Sequence, residues 1–318
     1  MTFEKIAVLG SGTMGHGIAQ NFALGGYDVA LYDIDDAIVH KGLDRVAESL
    51  QVFIEEEVIT DEQKQRALSH ITATTDLKEA VSDAQLVIEC IIEKISVKHD
   101  LYKNLEKLIS KDALIASNTS TFSIGQLTEV IEHKDRFVIM HYFNPAQIVP
   151  LVEILGADSV PKERLESISM LLKDVGKEPV VLKKDMPGFI GNRLQAALVR
   201  EAFYLYNEGV ASAEDIDTVI SSGPGFRWAF SGPLKTADFG GLDIWKSVVE
   251  NLAPSLDDSL KIPESINELY KSNNLGTKTG SGIFTYTEES VKKEIDARDR
   301  HFLSLFKEKQ KTYEDGQL

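Results

Sequence analysis

Two side chains twelve residues apart, His141 and Glu153, have the types and surroundings that proton transfer needs. His141 follows the apolar run Phe137-Val138-Ile139-Met140 and opens the stretch His141-Tyr142-Phe143-Asn144-Pro145. An imidazole at a strand end takes a proton from an alcohol near neutral pH. Glu153 sits inside Leu151-Val152-Glu153-Ile154, where a carboxylate is costly unless it is paired. Set against one ring nitrogen, it fixes the tautomer and stabilises the imidazolium. Ser120, in Ser117-Asn118-Thr119-Ser120 after Leu114-Ile115-Ala116, and Asn192 carry polar groups suited to the substrate's oxygen.

Alcohol oxidation also needs a hydride acceptor, and the N-terminus is built to hold one. The run Ile6-Ala7-Val8-Leu9 breaks into Gly10-Ser11-Gly12-Thr13-Met14-Gly15, a GxGxxG turn. Its first glycine allows the bend, its second lets backbone approach a pyrophosphate, and its third lets the next helix pack on the sheet. Phosphate oxygens then face the N–H groups and positive end of that helix. A second strand, Asp28 to Tyr32, ends at Asp33, whose carboxylate accepts both ribose hydroxyls of an adenosine and repels a 2′-phosphate. The expected cofactor is NAD rather than NADP, and no metal is expected.

Strand-like runs at 5–9, 28–32, 86–92, 113–116, 136–140 and 179–182 alternate with helical patterns, the rhythm of a parallel sheet with crossover helices. Residues 37–57 and 61–70 read as helices inserted after the second strand. Lys183-Lys184-Asp185-Met186-Pro187-Gly188-Phe189 is a polar junction, and helical spacing dominates beyond it. The expected fold is α/β: a Rossmann-type, mostly parallel sheet with inserted helices over 1–184, then a smaller all-helical domain over 185–318. Residues 286–318 form a charged tail in which Val291, Ile295, Phe302, Leu305 and Phe306 recur at helical spacing and require a docking surface.

With a net charge of −16 and 43% hydrophobic residues, the chain is expected to bury a sizeable core and to bind neither nucleic acid nor a membrane surface. The single cysteine, Cys90, lies in Leu86-Val87-Ile88-Glu89-Cys90-Ile91-Ile92 and reads as an inert core residue. Met1-Thr2-Phe3-Glu4-Lys5 carries no apolar leader, and the expected location is the cytoplasm.

These motifs together resemble the L-3-hydroxyacyl-CoA dehydrogenase family. The likeness runs to about Tyr286 and includes Ile92-Glu93 with Lys98, Pro187-Gly188-Phe189-Ile190 with Asn192-Arg193, and Lys278-Thr279-Gly280 before Gly282. The resemblance implies NAD-dependent interconversion of an (S)-3-hydroxyacyl group and its 3-keto form, with His141 as base and Glu153 as its partner. It implies substrate-oxygen contacts from Ser120 and Asn192. It also implies an NAD site lined by Glu93, Lys98, Ser120, Asn144 and Lys278 beside Gly10, Gly12, Thr13, Met14, Gly15 and Asp33. The implied assembly is a homodimer through the helical domain.

Two stretches depart from the coenzyme A branch of that family. Members of that branch carry lysines or arginines on the helix after the second strand, whereas residues 46–57 here contain no cation and end in Glu55-Glu56-Glu57. A charge run of this kind most simply caps a solvated helix end. Further on, Gly225-Phe226-Arg227-Trp228-Ala229-Phe230 is similar to the free-acid branch of gulonate- and carnitine-type dehydrogenases. Arg227 suits a substrate carboxylate, and Trp228 and Phe230 a quaternary ammonium. The expected substrate is a 3-hydroxyacyl thioester, with a free 3-hydroxy acid as the alternative. A lysine-based dehydrogenase using Lys183 or Lys184, or a non-catalytic NAD-binding protein, leaves the His141 and Glu153 pair unexplained.

Overall fold

The computed structural model describes residues 2–314. The last four residues of the expected tail lie outside the described residues. Two compact units are present, one running to Ile190 and resuming at Arg298, the other Gly191–Ala297. The sequence reading runs the second domain from 185 to the C-terminus; here the tail from Arg298 onward groups with the first unit instead.

The first unit alternates strand and helix: β1 Lys5–Leu9, α1 Gly15–Leu24, β2 Asp28–Tyr32, α2 Asp36–Glu55, α3 Asp61–Ser69, β3 Ile71–Thr74, α4 Leu77–Val81, β4 Leu86–Glu89, α5 Ile95–Leu108, β5 Leu114–Ser117, α6 Ile124–Leu127, β6 Phe137–Tyr142, β7 Leu151–Gly156, α7 Lys162–Asp174 and β8 Glu178–Val181. The strands form one sheet in the order β3-β2-β1-β4-β5-β6-β7-β8. All neighbours are parallel except β6 and β7. Parallel strands covered on both faces must be apolar throughout, and the buried β1 and β4 read that way until Glu89. Side chains that start the helices are where the chain needs them: Asp35 accepts from the Ile38 amide, Asp76 from Lys78 and Glu79, and Thr60 and Ser123 close capping boxes with Gln63 and Gln126.

One face of the sheet packs Val138, Met140, Tyr142, Val152 and Ile154 with Ile18 and Phe22 of α1. The other packs Phe137, Ile139 and Leu155 with Tyr102 and Leu105 of α5 and with Phe189. Period-two alternation therefore puts His141 and Glu153 on the second face.

The other unit holds α8 Gly191–Asn207, α9 Ala213–Ser222, α10 Pro224–Trp228, α11 Pro233–Gly240, α12 Leu242–Leu252 and α13 Glu264–Lys271. None of its residues is fully buried. The long α14, Glu288–Glu314, begins in this unit and passes into the first at Arg298. Among the described residues no helix is long and apolar enough to cross a membrane.

Lys177, between α7 and β8, is 5% exposed and donates to the carbonyls of Ala146 (2.6 Å) and Val149 (3.0 Å). Burial lowers its pKa to about 7. Between pH 7 and the ordinary lysine range the unfolded chain is protonated there and the folded chain is not, so raising the pH stabilises the fold; below pH 7 both are protonated and the full cost remains. Chemical denaturation should show wild type gaining on a Lys177→Met variant by about 1 kcal/mol per pH unit from pH 7 to 10. A pH-independent difference would contradict the assignment.

Candidate active site

The connection from β6 to β7 sets the chemistry. In their antiparallel register His141 stands directly opposite Glu153. Opposed residues of an antiparallel pair project to one face with their Cβ atoms about 5 Å apart, close enough for the side chains to meet. Nδ1 of His141 lies 2.9 Å from Oε2 of Glu153. Both residues are buried, at 4% and 2% exposure. The other carboxylate oxygen of Glu153 accepts from the backbone N–H of Ile190 at 2.9 Å. Two different donors thus fix the plane of the carboxylate, and the carboxylate fixes the ring.

The turn before Ile190 is shaped for this contact. Gly188 and Phe189 both have positive φ, 77° and 52°, which places the buried Phe189 ring 5.2 Å from the His141 ring. Phe143 packs on the imidazole at 4.7 Å. A positive φ at a non-glycine residue costs about 1 kcal/mol, and here it is held by the surrounding contacts. The sequence shows Pro187-Gly188-Phe189-Ile190 only as a motif of the resemblance. Its part in the geometry, an aromatic wall and an amide clamp on Glu153, becomes visible in the fold.

Elsewhere on the sheet's carboxyl edge, the glycine turn leaves no space for a Cβ at two of its three glycines. Gly10 has φ 98°, and a Cβ there would stand 2.7 Å from the carbonyl oxygen of Cys90. A Cβ on Gly15 would meet the Gly10 oxygen at 1.7 Å, so the helix bearing Thr13 and Met14 just ahead of it can start this close to β1 only at glycine. Gly12 by contrast faces open space. Asp33, just after β2, has one oxygen accepting from the Ser11 amide (2.8 Å) and hydroxyl (3.0 Å) and the other from the Ile34 amide (2.8 Å). The glycine turn and Asp33 are thereby tied together, as adenosine ribose binding requires, and the residues present fit NAD.

Between these places runs a buried charge network. Glu89, fully buried at the end of β4, accepts from Lys98 Nζ (2.6 Å), Tyr102 OH (2.6 Å), Ser117 Oγ (2.7 Å) and the Ile91 amide (2.9 Å). Lys98, 1% exposed, also lies 3.1 Å from Glu93. Glu93 further accepts from the hydroxyls of Thr119 and Thr121. Burial works against its ionisation, but these donors and the Lys98 charge outweigh it and hold the carboxyl below the usual range. The expected NAD-lining Lys98 therefore has its ammonium engaged inside the protein, and Glu93 is the member that reaches the surface. Sequence reasoning missed Glu89. Its signal was a lone acid in an apolar strand with a lysine nine residues on, at the start of a helix.

Ser120 is exposed just past β5, and Asn144 is exposed in the connector after β6. Asn192, Arg227, Trp228 and Lys278 all belong to the helical unit: Asn192 in the first turn of α8, Arg227 and Trp228 in α10, Lys278 on an exposed turn. Burial pushes the Cys90 thiol well up, in keeping with an inert cysteine.

A family model described as 3-hydroxyacyl-CoA dehydrogenase, NAD binding domain, matches residues 5–186. A second, described as 3-hydroxyacyl-CoA dehydrogenase, C-terminal domain, matches 188–286. The 5-formyl-3-hydroxy-2-methylpyridine 4-carboxylate 5-dehydrogenase of Mesorhizobium japonicum is 36% identical over 91% of this chain and 93% of its own length. The human mitochondrial hydroxyacyl-coenzyme A dehydrogenase is 37% identical over 89% of this chain and 91% of its own. A crystal structure of a 5-formyl-3-hydroxy-2-methylpyridine 4-carboxylic acid 5-dehydrogenase, described as an NAD+-dependent dismutase, aligns with a TM-score of 0.89 at 35% identity, covering 96% of this chain and 97% of that one. The chain belongs to the 3-hydroxyacyl-CoA dehydrogenase family and is an NAD-dependent oxidoreductase.

Replacing Asp33 by alanine should reduce the preference for NAD over NADP, read as the ratio of the two kcat/KM values, by about tenfold or more. An unchanged ratio would mean that another residue reads the ribose.

Proposed function

We propose that the protein interconverts a hydroxyl and a keto group by hydride exchange with NAD, His141 serving as proton acceptor and donor and Glu153 as the partner that positions it. The observation carrying this reading is the buried Nδ1 to Oε2 contact of 2.9 Å, which leaves Nε2 as the nitrogen for the substrate. An ionised Glu153 holds the neutral ring's proton on Nδ1, so Nε2 offers a lone pair to a hydroxyl hydrogen. As the O–H proton moves to Nε2 the ring becomes a cation, and the adjacent carboxylate stabilises it in surroundings that exclude water. Bound NAD supplies the two-electron acceptor for the hydride on the same carbon. Phe143 and Phe189 wall the imidazole and keep its orientation.

In this reading Ser120 contacts the substrate's oxygen, and Gly10 to Gly15, Asp33, Glu93 and Asn144 line the cofactor site. The matching roles of Asn192 and Lys278 rest on their sequence motifs.

For the substrate, a compact hydroxy or keto acid is the better reading. The M. japonicum relative is named for a pyridine carboxylate, and Glu55 at the end of α2 and Glu56 just after it share Arg300 where a phosphorylated tail would call for cations. The thioester reading is favoured by relatives such as the human hydroxyacyl-coenzyme A dehydrogenase. A homodimer through the helical unit is supported by its lack of a buried core and by exposed Phe226 (74%), Leu234 (84%) and Phe239 (73%).

Glu153→Gln should lower kcat by about a hundredfold or more while the Kd for NADH stays within about twofold, since its work is on the ring and not on the nucleotide. Equal losses in both would remove Glu153 from this role.

A further inference from the structure

The C-terminal half of α14 docks on one corner of the first unit. Leu303 is fully buried against Phe53 of α2 and Ile148, with Leu24, Val52, Val58 and Ile59 around them. Ile148 belongs to the connector that leaves the His141 strand and enters the Glu153 strand. The same connector receives Lys177 at Ala146 and Val149. Arg300 forks across two carboxylates, Nη1 to Glu56 at 2.6 Å and Nη2 to Glu55 at 2.7 Å. Lys307 donates to the Glu56 carbonyl at 2.5 Å, and Lys309 lies 3.5 Å from Glu178. Glu55 and Glu56, which read in sequence as a solvated helix end, are partners of the tail.

Charge decides what this corner accepts. A coenzyme A thioester carries a phosphorylated nucleotide, whose phosphates are held by lysines, arginines or the N–H groups of a helix start, and this corner is the C-terminal end of α2. Residues 46–57 supply none and contribute Glu48, Glu55, Glu56 and Glu57. Of the cations on the docked part of α14, Arg300, Lys307 and Lys309 are engaged by oxygens of the first unit and Arg298 by its neighbour Asp299. A phosphate placed here would meet like charge and would have to displace a bidentate guanidinium pair and a buried leucine.

We propose that residues 298–309 form a specificity strap: docked on the end of α2 and on Ile148, they close this corner to a nucleotide tail and confine turnover to compact hydroxy or keto acids. This rests on the reading of His141 and Glu153 as the reacting pair, and it names the substrate class of that site. The residue of the tail that docks is Leu303, not the expected face: Ile295, Phe302 and Leu305 stay exposed.

The test uses the full chain with two variants, Arg300→Ala, and Arg300→Ala combined with Leu303→Ala and Lys307→Ala, with NADH affinity as the check on folding. Turnover of acetoacetyl-CoA is compared with that of free acetoacetate and of a small keto-acid panel, and coenzyme A binding is measured by calorimetry without turnover. Wild type should bind no coenzyme A at millimolar concentration. The triple variant should raise the thioester to free-acid ratio of kcat/KM by about tenfold or more and begin to bind coenzyme A, with the single variant between. Micromolar coenzyme A binding by wild type overturns the proposal, as does an unchanged ratio in a triple variant that still binds NADH. Should no substrate turn over while coenzyme A binding changes as stated, the strap stands and the His141 reading falls.

Discussion

The register of one antiparallel strand pair holds the site together. Because β6 and β7 run in opposite directions with His141 opposite Glu153, the sheet's own hydrogen bonds deliver an imidazole to a carboxylate. Slipping that register by one residue would turn Glu153 toward the other face and leave a buried charge without its partner. The pair is thus specified by the same interactions that specify the fold. Around it the structure adds restraint at every free coordinate: the Ile190 amide on the second carboxylate oxygen, aromatic rings beside the imidazole, and Lys177 on the carbonyls of the connecting loop.

A parallel sheet concentrates polar groups at the carboxyl ends of its strands, and this chain uses nearly every one. The glycine turn follows β1, Asp33 follows β2, Glu89 ends β4, and Ser117 ends β5. Glu89 has donors on both its oxygens, which makes a fully buried carboxylate tolerable, and its bond to Lys98 carries that charge outward to Glu93. The network connects strand ends that would otherwise be separate loops.

Much of this was legible in the residues. The glycine turn, Asp33, and the His141 and Glu153 pair all stand out because a polar or glycine residue interrupts an apolar run at a place where physics penalises it. Strands β1 and β2 have the expected bounds, since buried parallel strands are continuous apolar runs. Strand β3, Ile71–Thr74, was not legible: it is short and half polar. Residues 151–154 read as an apolar stretch without showing that they begin β7 and pair antiparallel with β6, because pairing is a long-range property. Nor do the partners of Glu89 and of the tail declare themselves. Glu89 finds its partners in α5 and β5, and Glu55 and Glu56 find theirs 245 and 244 residues away.

The central claim is that Glu153 keeps the neutral His141 ring in one tautomer, with Nε2 free to take the substrate's proton. Long-range 1H–15N correlation spectroscopy of the imidazole nitrogens in the NADH-bound enzyme, at a pH where the ring is neutral, reads that directly. The account predicts a protonated Nδ1 and an unprotonated Nε2, reversed or mixed in Glu153→Gln. A wild-type ring carrying its proton on Nε2 would contradict it.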